Sequence, residues 1–234
     1  GTGLAQMDGA DLNGTNKSYA YMFRRAPGFF DVVAYEGNDS NDNKAHNLGV
    51  VPELMIIKTR NRAYNWRIYH KLYGEESGIL LTSMAFSPSY DVWNDKAPTS
   101  SEFFVTPAHS NANASGNDYI AYLFATLPGV SKVGSYTGNG TPGQIIDCGF
   151  SNGARFVLIK NADAARDWWV FDTERGITSG NSDPGLRLNT TTAEYTGSNY
   201  ECVGPNSSGF ALTGSQGGQD FNENGENYIF LAIA

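Results

Sequence analysis

The residues able to do acid–base or metal chemistry are few and scattered. His46, His70 and His109 are the three histidines, each in a different segment, and no His/Cys grouping has the spacing of metal ligands. Cys148 and Cys202 are the two cysteines. A chain of this size needs no covalent staple, so two buried free thiols are expected rather than a disulfide. The nearest approach to a metal loop is Asp220-Phe-Asn-Glu-Asn-Gly225, which matches the first half of a helix–loop–helix calcium loop. Its twelfth position is Leu231, where that loop needs a bidentate acid, and a strand pattern follows instead of a helix. A structural hairpin turn is the better account. There is no Gly-x-Ser-x-Gly elbow, phosphate loop or dinucleotide fingerprint. Asp and Glu total 24, but none outside the turns recurs at equivalent strand positions of the two halves described below. The expectation is a binding or structural protein with no catalytic residue, no metal and no cofactor, not an enzyme.

The elements that would position any site are strands. Aromatics make up 13% and charged residues only 17% of the 234 residues, and glycine occurs 27 times. That balance favours pleated sheets joined by tight turns over helices or disorder. The net charge of −8, without a block of Lys or Arg, argues against a nucleic-acid partner. The longest apolar runs, Tyr119–Ala125 and Tyr228–Ala234, are far shorter than the roughly twenty residues a spanning helix needs, so no membrane insertion is expected.

Self-comparison organises the chain. Tyr19–Gly28 matches Ile120–Gly129 without a gap; Val33–Asn38 falls on Gly134–Asn139, Pro52–Lys58 on Ala154–Lys160, and Asn65–Tyr69 on Asp167–Phe171. The offset stays at about 101 residues throughout. At the module ends, Asn113–Ile120 aligns with Asn222–Ile229, and Asn13–Tyr19 fits the same pattern with one residue dropped. The expected organisation is a module at residues 29–129, a second at 130–234, and a stub at 1–28 that reads as the closing hairpin of a preceding module. Strand signals recur at short intervals, separated by Gly, Pro, Asn and Asp. The expected fold is therefore all-β: two tandem antiparallel β-sandwich modules, jelly-roll or lectin-like, each of two stacked sheets.

Strand parity sorts the aromatics. Trp66 and Trp168 are equivalent and share a face with Ile68 and Val170, which predicts a core face. Trp169 and Phe171 then lie on the second face, where they could stack a sugar ring or pack a neighbouring module. The modules diverge most between Tyr73 and Thr99 and between Ile177 and Pro205, and such loops carry recognition. Tyr90, Trp93, Tyr195 and Tyr200, together with Trp169, are the candidate ligand-binding residues; capping a sheet edge is the alternative role for each.

Several phrases resemble a known family. Tyr21–Val33, Asn47–Ile56, Val130–Asn139, Gly153–Lys160 and Tyr228–Ala234 closely resemble tail-fibre and tail proteins of tailed bacteriophages and prophages. The resemblance covers nearly the whole chain. It implies a virion protein of the phage tail that contacts the host surface, with a surface glycan or outer-membrane component as ligand. It also implies assembly with other tail-fibre subunits, by analogy as a homotrimer, although no heptad repeat drives one. It transfers no catalytic or binding residue. A purely structural role, as spacer repeats of the fibre, is the alternative reading.

Overall fold

The structure, a computed structural model, describes residues 3–5, 20–76, 78–82, 85–86, 92–178, 183–195, 202–213 and 218–234. A short ribbon pairs β1 (Gly3–Ala5) with β2 (Ala20–Met22). The first module contains β3 (Phe30–Glu36), β4 (Asp42–Ala45), β5 (Leu54–Thr59), β6 (Arg67–His70), β7 (Ile79–Leu80), β8 (Glu102–Val105) and β9 (Asp118–Phe124). The second contains β10 (Ser131–Thr137), β11 (Gln144–Asp147), β12 (Phe156–Asn161), β13 (Trp168–Asp172), β14 (Leu186–Arg187), β15 (Val203–Asn206), β16 (Gly209–Leu212), the single helical turn α1 (Gly218–Phe221) and β17 (Asn227–Ile233).

The repeat in sequence is a repeat in topology. The large sheet of the first module runs β3-β9-β5-β6-β7, and that of the second runs β10-β17-β12-β13-β14, so equivalent strands take equivalent places. A smaller sheet backs each: β4-β8 in the first, β11-β16-β15 in the second. All of the pairings are antiparallel, and the chain is all-β with sandwich modules.

Each module is closed by the same clasp. Tyr35 stacks on Tyr119 at 5.0 Å and Tyr136 on Tyr228 at 4.9 Å. Their hydroxyls donate to Ala112 O (2.6 Å) and Phe221 O (2.7 Å). The buried Asn113 and Asn222 play matching parts: the Nδ2 of Asn113 donates to Asn38 Oδ1 and Ser40 O, that of Asn222 to Asn139 Oδ1 and Thr141 O. The Asp220–Gly225 motif is thus spent on closing the module. Asn222 holds the opposing loop, and Asp220 faces Arg166 at 3.6 Å.

Each large sheet packs on both faces, the outer face of the first module's sheet only in part. Toward its own small sheet, β9 sends Tyr119, Ala121 and Leu123, while β17 sends Tyr228, Phe230 and Ala232. The alternate residues enter a third cluster shared by both modules. There Leu54, Ile68 and Phe124 of the first module meet Leu158, Trp168, Val170, Ile229 and Leu231 of the second. The molecule is therefore four sheets deep, with the large sheets back to back. Fully burying a side chain of this kind stabilises by about 1.5–3 kcal/mol, so separating the modules would forfeit several such contributions at once.

This placement corrects the expected use of the faces. Trp168 and Val170 pack the neighbouring module, whereas Trp169 and Phe171 look into the second module's own core. When both sides of a sheet are covered, parity separates the faces without saying which neighbour each one meets. The divergent stretch after Tyr73 also serves docking: Phe86 stacks on Tyr73 at 4.0 Å, and its N–H donates to Ala162 O of the second module.

Among the described residues of the stub, β2 pairs only with β1 and does not join the first module's large sheet, and the residues around β2 pack on both modules. Phe23 packs on Phe30 and Phe124 of the first module and on Phe156 of the second, at 5.6–5.8 Å. Tyr21 lies edge-on to Phe156 at 5.1 Å.

Candidate functional site

Of the residues singled out from the sequence, the described ones face inward. Trp93 is 1% exposed and packs against Tyr69 at 5.5 Å. Trp169 is also 1% exposed, stacked beside Phe171 with the Arg187 guanidinium 4.6 Å above its ring. Neither ring is open to a ligand. Tyr195 is half-buried; its backbone pairs with Gly185, and its ring packs on the second module's core. Tyr90 and Tyr200 lie outside the described residues.

The aromatic surface that remains open is elsewhere. The second module's large sheet covers only part of the first module's, and Val32, Ile56, Trp66 and Tyr122 stay half-exposed. Register brings them together: Tyr122 on β9 lies between Val32 on β3 and Ile56 on β5. Tyr122 is flanked on either side by nearly parallel rings, Phe30 at 6.4 Å and Trp66 at 6.5 Å. The β2 ribbon supplies the opposite wall through Tyr21, Met22 and Phe23, enclosing a groove of about 600 Å³. Lys58 reaches over Trp66 at 5.9 Å, yet its ammonium is held by Tyr64 O at 2.6 Å.

The ribbon wall is fixed by a buried polar cluster. Tyr21 Oη donates to Asp172 Oδ2 (2.8 Å) and accepts from Arg175 Nη2 (2.9 Å). Arg175 also pairs with Asp172 at 2.5 Å and with Glu194 at 3.0 Å, its own side chain 1% exposed. Burial pushes the Tyr21 phenol well above its ordinary range, with Arg175 partly opposing the shift. The phenol therefore stays protonated and keeps donating to Asp172.

Among the described residues the groove holds no nucleophile paired with a base, and no carboxylate lines it. Its chemistry is apolar and aromatic docking. A sugar would find ring faces here but few of the polar groups that its hydroxyls need once desolvated. Among the described residues no group of His, Cys, Asp and Glu is placed to hold a metal ion. Sequence reasoning placed Trp66 in the core with Trp168; the signal it lacked was how far one large sheet overlaps the other.

No curated protein and no solved structure matches the chain. One family model matches residues 7–234, an extent that takes in both modules and part of the ribbon. The chain belongs to the family described as Domain of unknown function (DUF7483).

Proposed function

We propose that this chain is a structural segment of a phage tail fibre, built to hold sandwich modules together as a rigid body. The observation that carries the reading is the shared core between the two large sheets, where Trp168, Leu158 and Leu231 meet Leu54, Ile68 and Phe124. Faces that a binding module would present to a ligand are used here for docking, and the buried Trp93 and Trp169 fit the same economy. The tail-fibre setting rests on the phrase resemblance set out above.

A second reading, direct host contact, draws support from one feature: the partly exposed, nearly parallel rings of Tyr122 and Trp66, backed by the buried Phe30, could stack a sugar ring. Binding of the labelled chain to a panel of bacterial cells and their purified surface polysaccharides separates the two. The structural reading expects no saturable binding by the folded protein. Saturable binding to one strain, lost on stripping its glycans and on Trp66→Ala, would replace it with the adhesin reading.

A further inference from the structure

We infer that the groove is the docking seat of a third module of this same repeat, the module closed by β2, so that three large sheets surround one core. This deepens the structural reading above and rests on it.

The first observation is that three closing strands already deliver matching side chains to one cluster. Tyr21 of β2 with Phe23 just after it, Tyr122 and Phe124 of β9, and Leu231 and Ile233 of β17 occupy equivalent repeat positions, and all six pack in the core shared by the modules. Two sheets alone would leave no reason for a third closing strand to point into the same place.

The second observation is the turn that leaves both β2 and β9. After β2, Phe29 N and Phe30 N both donate to Ala26 O, and Gly28 has φ +77°. After β9, Val130 N and Ser131 N both donate to Leu127 O, and Gly129 has φ +72°. The chain thus enters the first module by the bend it uses to enter the second. These two turns and Ile233–Ala234 line a common hollow of about 340 Å³, so the ends of the three closing strands gather at one end of the core.

The third observation concerns Met22. Its repeat equivalents, Leu123 and Ala232, are 0% exposed inside their own modules, whereas Met22 is 52% exposed. Among the described residues β2 has one strand partner, while β9 and β17 each have two. A sheet completed on the free edge of β2 would bury Met22 on its inner face. Its outer face would cover Val32, Ile56, Trp66 and Tyr122, the residues that make the groove.

The test is a three-module chain in which residues 1–18 are replaced by a second copy of residues 29–119. Tyr19–Phe23 then takes the place that Ile120–Phe124 has in the first module. The copy carries Phe at its Trp66 equivalent, which leaves the original Trp66 as the half-exposed tryptophan to be followed. Two readouts are compared with the present chain: peroxide oxidation of Met22, and acrylamide quenching of Trp66. Docking predicts that Met22 resists oxidation and that the quencher-accessible tryptophan fraction is lost. Met22 protected with Trp66 still quenched would mean that the third module folds but does not dock, which overturns the inference. Met22 still oxidised would mean that β2 is not its closing strand, which overturns it equally. Glycan binding by the two-module chain would remove the structural reading without changing either readout.

Discussion

Substituting Tyr21→Phe isolates the contact that ties the ribbon to the second module. The ring stays against Phe156, and only the hydroxyl is removed. One hydrogen bond to the Asp172 carboxylate and one from the Arg175 guanidinium are lost. The charged partners keep each other and keep further bonds: Asp172 Oδ1 still accepts from Glu174 N and Arg175 N, and Arg175 still pairs with Glu194. No charge is therefore left unpaired, and the cost is that of hydrogen bonds to ionised groups, about 2 kcal/mol. With a urea m-value near 3 kcal/mol/M for a chain of this size, the midpoint should fall by roughly 0.7 M if ribbon and modules unfold together. If the ribbon opens first, the same energy appears as loss of amide protection confined to residues 20–23. Hydrogen exchange followed by mass spectrometry, run beside the urea titration, reads both routes. A variant with an unchanged midpoint and unchanged protection would refute the assignment of the hydroxyl as the anchor.

Three further expectations follow from single residues. Trp168→Ala removes the largest side chain of the shared core and should cost about 3–5 kcal/mol in urea unfolding, while the second module's own core is left in place. His70 is buried, accepts Leu72 N–H at Nδ1, and is pushed down to about 4 by burial, with Lys71 adding to the shift. Its lowered value means that the unfolded state binds the proton first. The His70 contribution is complete above about pH 6.5 and is lost as pH falls toward 4, worth up to about 3 kcal/mol; denaturation curves of wild type and His70→Gln should differ in that window. Gly138→Ala sets a Cβ 2.2 Å from Glu223 O, and Gly37→Ala does the same at 2.1 Å from Ala114 O. Backbone cannot yield as a side chain can, so each should destabilise by about 3 kcal/mol, measured by the shift in melting temperature.

The repeat, the sandwich layers and most strands were legible because period-two alternation and turn residues mark them directly. β4 was not, since Asp42-Asn-Lys-Ala45 has the composition of a turn and becomes a strand by pairing with β8. β15 was hidden by Gly204 and Pro205, which ordinarily argue against a strand. The free thiols at Cys148 and Cys202 follow the expectation, both buried in the second module. Ligand contacts were harder to read. Trp93 and Trp169 look like recognition aromatics when a loop or a second face is assumed to meet solvent, and here each meets a core. Trp66 and its equivalent Trp168 cannot be told apart by pattern. What separates them is the offset between two docked sheets, which depends on contacts about a hundred residues apart.

The most direct test of the central claim, that the modules share one core and act as one body, is scanning calorimetry of the intact chain. One cooperative unit predicts a single transition whose van't Hoff enthalpy matches the calorimetric value, about 160 kcal/mol near 60 °C for this length. Two transitions, or a van't Hoff enthalpy near the roughly 70 kcal/mol of a single module, would show that the modules melt independently and would contradict the account.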